Sequence, residues 1–113
     1  MEGITTYHYV TPADVDHYDI LYSARAAAWV VESAVVEATA VLGEKHFTFV
    51  SLKDMVFRKS VPLGDTVCLK ASLTKAGTTS LAIGVSVSTI GGGEEVLSAS
   101  VIFVCIDDKR APM

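Results

Sequence analysis

The sequence predicts an α+β fold: one central helix wrapped by a curled antiparallel β-sheet, with the elements in the order β-α-β-β-β-β. Three observations lead there. Strong helix formers dominate one long segment only, from Leu21 to Leu42; everything after it alternates with period two; and the strands that follow are separated by short turns alone. Antiparallel strands in sequence order, with a single helix to cover, bury their apolar surface by curling over that helix. A length of 113 residues and a mass of 12.0 kDa supply one folding unit, residues 1–113, with one core.

Ile4 to Val10 alternates Ile4, Thr6, His8 and Val10 against Thr5, Tyr7 and Tyr9, a β-rich composition that reads as the first strand, and Thr11-Pro12 ends it. Asp14, Asp16 and Asp19 then precede the helix, the acidic signature of a loop feeding a helix N-terminus. The helix itself spans Leu21 to Leu42 and stops at Gly43, a C-terminal cap. At 100° per residue, Ile20, Ala24, Ala27, Val30, Val31, Ala34, Val35, Ala38, Val41 and Leu42 share one broad arc. The opposite stripe holds Tyr22, Arg25, Trp29, Glu32, Ser33, Val36 and Thr39, and since it too is partly apolar, the helix should be largely covered.

Four strands follow. Phe47 to Lys59 sets Phe47, Phe49, Ser51, Met55 and Phe57 on one face, and Val61-Pro62-Leu63-Gly64-Asp65 turns the chain. Thr66 to Thr74 alternates Val67, Leu69, Ala71 and Leu73 with polar neighbours, a half-buried strand that Ala76-Gly77 breaks. Leu81, Ile83, Val85 and Val87 mark the next, with a hairpin at Gly91-Gly92-Gly93. Val96 to Ile106 is apolar on both faces toward its end, as an interior strand would be. Asp107 to Pro112 is a polar tail.

Composition excludes several classes. Half of the residues are hydrophobic, 19% are charged and the mean hydropathy is +0.43, too apolar for a disordered chain. Such low charge on so small a domain implies apolar surface hidden against another subunit. The longest apolar runs, Ala26 to Val31 and Val101 to Ile106, fall far short of the ~20 residues that cross a bilayer. Met1-Glu2-Gly3 opens no secretory signal, which makes the cytoplasm the expected location and membranes no partner. Cys68 and Cys105 sit singly in alternating apolar segments and read as buried thiols, with no disulfide framework or zinc site. A net charge of −4, a pI near 5.2 and the lack of an arginine-rich stripe exclude nucleic acid as the main partner.

The chemistry-bearing residues cluster ahead of the helix. On spacing alone two readings of Asp14, Asp16 and Asp19 compete: one caps the helix while the others solvate a loop, or one serves as base or nucleophile. In the second reading the free N–H groups of the first turn, around Tyr22 and Ser23, bind a developing oxyanion. Arg58, Lys59 and Lys75 are cations at strand ends that could hold an anionic group or simply face solvent. His8, His17 and His46 are too scattered to form a metal set, and His17 beside Asp16 either orients water or lies at the surface. Met55 and Phe57 either line an acyl pocket or belong to the core.

The run from Pro12 to Tyr22, followed by Trp29-Val30-Val31-Glu32-Ser33-Ala34, resembles the loop and helix of hotdog-fold acyl-CoA thioesterases, which carry D-x-[DN]-x-x-G-x-[LV]-[FYW] and then W-x-x-x-A. Phe57 to Val67 is similar to the family's F-x-x-P-[VI]-x-x-G-D-x-[VL] strand and turn, and Lys75 to Leu81 to its V-G-[RT]-[ST]-S hairpin. Three motifs in the right order cover nearly the whole chain. The resemblance implies the hotdog fold and hydrolysis of a small or medium acyl-CoA by a homodimer or homotetramer, with coenzyme A as part of the substrate and no metal or other cofactor.

Carried over position by position, the resemblance makes Asp16 the catalytic loop carboxylate and the N–H near Ser23 the group that polarises the thioester carbonyl. The candidate substrate contacts are His17, Asp19 and Glu32, Met55 and Phe57 toward the acyl group, Arg58, Lys59 and Lys75 toward the anionic end of coenzyme A, and Thr79 and Ser80 on the hairpin. Glu32 lies beside the helix position, Val31 here, that carries an acid in some subfamilies. Three positions depart from the pattern: Asp19 stands for the loop glycine, Ser60 for the strand proline, and Thr78 where many relatives have arginine. Glycine at position 19 would permit φ > 0, which Asp tolerates at modest cost, and a carboxylate close to Asp16 would raise its pKa. Two other functions fit the same motifs: a hotdog CoA lyase or hydratase resembling β-aminoacyl-CoA ammonia-lyases, whose loop carries a pair like His17-Tyr18, and a catalytically silent acyl-CoA-binding module.

Overall fold

The computed structural model describes residues 3–106, so the tail from Asp107 and the start at Met1 and Glu2 lie outside the described residues. The elements follow the expected order: β1 (Ile4–Tyr9), a short 3-10 turn (Pro12–Asp14), α1 (Ser23–Leu42), β2 (His46–Phe57), β3 (Thr66–Ala76), β4 (Ser80–Thr89) and β5 (Glu95–Ile106). All five strands join one antiparallel sheet in the order β1-β3-β4-β5-β2. The expected elements shift only at their ends. The helix starts two residues later than the propensities suggest because Leu21 is held as strand-like backbone, its N–H donating to Val61 O at 2.7 Å. Gly43 ends it with φ 63° and its N–H on Thr39 O, a backbone that glycine adopts without a Cβ penalty.

The sheet wraps α1 with its inner residues. Leu69, Ile83, Val101 and Phe103 are large and fully buried, while the helix presents mostly small side chains to them, Ala26, Ala34 and Ala38, with Val30 between. Small against large lets the helix seat close to the sheet without voids. The buried stripe of α1 is Ala26, Val30, Ser33, Ala34, Glu37 and Ala38. This corrects the helical-wheel expectation in two ways. Ser33, assigned to the polar stripe, is buried, and Ala24 and Val35, assigned to the apolar arc, are exposed. The helix is therefore covered on one face only, and its outer face, including Val35 and Val36, is bare in the protomer.

β2 also departs from simple alternation. Bulges interrupt its register with β5 between Phe49 and Ser51 and between Lys53 and Val56, and Asp54 takes a left-handed φ of 55°. The first bulge shifts the pleat, so Ser51, expected on the face of Phe47 and Phe49, pairs with Ile102 and Leu52 turns to the core instead. The second restores the expected parity, with Met55 and Phe57 against the core, while Phe49 stays half exposed at the sheet edge with its ring edge-on to buried Phe103. Of the two cysteines, both free, Cys68 is buried as expected and Cys105 only half-buried.

Candidate active site

Between β1 and α1 the chain builds a small hairpin. Asp16 N–H donates to Ile20 O at 2.9 Å, Val15 bridges to Leu21, and Asp19 N–H donates to Asp16 O at 3.0 Å, leaving His17 and Tyr18 at the tip. Asp19 follows that turn with φ 60°, the left-handed position that glycine usually fills in such three-residue loops. Its backbone oxygen accepts from Leu63 N–H at 3.0 Å, and Ile20 bridges to Pro62, so the loop is stitched to the turn before β3. The Asp19 side chain is exposed.

The three loop carboxylates divide their work. Asp14 is an anchor: its Oδ2 accepts from the Thr11 N–H (2.9 Å) and hydroxyl (2.8 Å), and its Oδ1 lies 3.2 Å from Arg25 Nε on the first turn of α1. Chiefly the Thr11 N–H, against the opposing effect of burial and with help from the Thr11 hydroxyl, Arg25 and His8, holds the Asp14 carboxyl below its ordinary value. Asp16 is half-buried, and its Oδ1 accepts from Tyr18 N–H at 2.8 Å, which fixes the carboxylate at the hairpin base. Oδ2 of Asp16 has no hydrogen-bond partner among the described residues.

α1 begins at Ser23 without a side-chain cap and without an acid in its first turn. Tyr22 N–H is satisfied by Asp14 O at 2.9 Å, whereas the following N–H groups, Ser23 to Arg25, precede the first intrahelical bond, Ala26 N–H to Tyr22 O. Of these, Ser23, at the positive end of the helix dipole, lines a cavity of about 440 Å³ together with Asp16, His17, Phe57, Arg58 and Lys59. Ile20, Leu21, Tyr22 and Ser60 complete its wall.

The remaining expected residues lie elsewhere. Lys75 and Ser80 line a second cavity of about 350 Å³, with Ser51, Lys53, Ala82 and Ile102. Thr79 lines neither; its oxygen accepts from Cys105 N–H at 2.7 Å. Met55 packs against the core, and Glu32 stands on the outer side of α1 with Oε1 3.8 Å from His8 Nε2, whose ring stacks on Trp29 at 4.2 Å. His17 rests against the Tyr18 ring at 4.0 Å.

Two carboxylates that the motifs did not single out face the expected cations. Arg58 Nη1 donates to Glu95 Oε1 at 3.0 Å and to Ser98 Oγ at 2.7 Å, and Ser86 Oγ donates to Glu95 Oε2 at 3.1 Å. Lys59 Nζ is ion-paired with Glu94, and this lysine's hydrogen bond and charge keep the Glu94 carboxyl below its ordinary value. Sequence reasoning missed these pairs because they depend on β2 ending beside the start of β5, which sets the Glu-Glu step after the triglycine hairpin next to Arg-Lys. No group of three or more metal-ligating side chains occurs among the described residues.

The sequence profile of the thioesterase superfamily matches residues 18–96. No curated protein matches the chain at a significant level. Among solved structures, an acyl-CoA hydrolase from Staphylococcus aureus in complex with butyryl coenzyme A superposes with a TM-score of 0.88 at 22% identity, over 96% of this chain and 66% of that one. A hexameric thioesterase from Yersinia pestis gives 0.86 at 23% identity, over 97% and 93%. A 1,4-dihydroxy-2-naphthoyl-CoA thioesterase from Synechocystis gives 0.79 at 17% identity, over 96% and 86%. These likenesses show the fold.

Proposed function

The chain belongs to the thioesterase superfamily and has its hotdog fold, and from that premise we propose that it hydrolyses the thioester of a small or medium acyl-CoA. The observation that carries this reading is the meeting of Asp16 and the uncapped start of α1 at one cavity. A thioester carbonyl seated there would direct its oxygen to the Ser23 N–H, where the developing oxyanion gains a fixed donor and the helix dipole. Asp16 takes a proton from the attacking water, and collapse of the tetrahedral intermediate breaks the C–S bond and releases the thiolate, which takes that proton; or Asp16 attacks the carbonyl carbon itself, the thiolate leaves and is protonated from water, and a water then cleaves the acyl-Asp16 anhydride to free the acid and restore the carboxylate. No metal or redox cofactor is needed for either route.

The anionic end of coenzyme A is assigned to Arg58 and Lys59 at the cavity and to Lys75 with Ser80 at the second one. Phe57 supplies apolar wall for the acyl group. The exposed length of β2, an edge strand of 12 residues, supports a homodimer or a dimer of dimers joined along that edge. Two free thiols fit a reducing compartment, and the cytoplasm is the location we assign. A panel of acyl-CoAs assayed for thiol release tests the reading, since free thiol appears only on hydrolysis. Elimination from the acyl chain without thiol release would point to a lyase, and coenzyme A binding without turnover to a silent binding module.

A further inference from the structure

The two cations at the catalytic cavity are not free. Arg58 and Lys59 each face a glutamate from the end of the β4–β5 hairpin, and both pairs are open to water: the side chains of Lys59 and Glu94 are 61% and 63% exposed, those of Arg58 and Glu95 50% and 41%. By contrast Lys53 and Lys75, at the second cavity, carry no ion pair among the described residues. An exposed ion pair is weak, so an incoming anion can exchange with the carboxylate, but it must displace it first.

We propose that Glu94 and Glu95 are built-in counter-anions that compete with the phosphate groups of a CoA thioester for Lys59 and Arg58, and so set its KM. The inference rests on the thioesterase reading and adds the residues that tune it. Apparent affinity falls by the fraction of time the cation is occupied, which for a pair of that strength is about two- to six-fold. Thioesters without phosphate are indifferent to the competition. The hairpin thus narrows the preference for the full nucleotide-bearing substrate over its neutral fragment. Glu94 is the cleaner of the two because its side chain meets Lys59 alone, whereas Glu95 also accepts from Ser86.

Glu94→Gln keeps shape and removes the charge. KM for an acyl-CoA should fall about two- to six-fold with kcat unchanged, while KM for the same acyl group on pantetheine stays where it was. Coenzyme A titrated by calorimetry should bind more tightly by the same factor. An unchanged or raised KM for the acyl-CoA, or an equal fall for the pantetheine thioester, overturns the inference and leaves hydrolysis intact. If neither thioester is hydrolysed by either protein, the thioesterase reading fails. The calorimetric comparison then decides the counter-anion role, which stands with tighter binding and falls without it. A merely structural Glu94 would shift the melting temperature and leave the contrast between the two substrates untouched.

Discussion

At the scale of single residues, the loop carboxylates separate into one that holds the structure and one that faces the cavity. Asp16→Ala should lower hydrolysis about 10²–10⁴-fold, the usual cost of losing a general base, and leave the melting temperature within a few degrees of the parent. Asp14→Asn should do the reverse, with turnover largely kept and stability reduced by about 1–3 kcal/mol in urea titrations, since the amide loses the charge and one of the two acceptor oxygens that serve the Thr11 N–H, its hydroxyl and Arg25. The same substitution has a pH signature. The folded Asp14 carboxyl lies below its ordinary value, so its contribution is present above the unfolded pKa near ~4 and is lost as pH falls through the folded one. The parent should therefore lose stability more steeply than Asp14→Asn below about pH 4, read as melting temperature against pH. Asp19 behaves differently from the family's glycine in chemistry but not in backbone. At φ 60° with an exposed side chain that does not line the cavity, Asp19→Gly should change stability by less than about 1 kcal/mol and leave turnover close to that of the parent. A marked gain in turnover would mean that the side chain crowds the site in solution.

At the scale of elements, the strands were legible because alternation is a short-range property: β4 keeps it throughout, and β3 keeps its register with β4 as far as Leu73, where a bulge shifts it. β2 was only half legible. Its bulges at Val50 and at Asp54-Met55 are set by pairing with β5, a long-range partner that no window of local sequence contains. The helix was found in length but turned in orientation. Counting apolar residues around the wheel favoured Val35 over Ser33, yet the face that packs on the sheet is Ala26, Val30, Ser33, Ala34, Glu37 and Ala38, mostly small side chains, and Val35 falls outside it. The loop residues were legible through the motif, while the Glu94 and Glu95 pairs needed the junction between β2 and β5. Ser33 gives this account a test. Its hydroxyl is buried without a partner, as is that of Thr6 on β1. Ser33→Ala removes an unsatisfied polar group and improves helix propensity, so the protein should gain roughly 1 kcal/mol and melt several degrees higher. A loss instead would show that the hydroxyl is satisfied by a bound water in solution.

At the scale of the whole molecule, the protomer leaves apolar surface in two places. One is the outer face of α1, with Val35 and Val36; the other is the free edge of β2, where Phe49, Val50 and Val56 are each about half exposed, at 46%, 54% and 48%. β1, the opposite edge, has six residues, against 12 in β2, so β2 offers the longer row of unpaired backbone groups. A two-fold pairing along β2 satisfies both the hydrogen bonds and the apolar side chains at once, and it brings the end of one β2, beside Arg58 and Lys59, alongside the body of the other. The expected outcome is that the parent scatters light as a dimer or larger at micromolar concentration. The double substitution Val50→Lys and Val56→Lys, at positions exposed in the protomer, should keep the circular dichroism of the fold while halving the mass, because desolvating two lysines on a paired edge is costly. Thioester hydrolysis should fall with the mass if the cavity is completed across the edge. A lysine variant that stays assembled would remove β2 as the interface and leave the outer face of α1, whereas a parent that runs as a 12.0 kDa monomer would remove both.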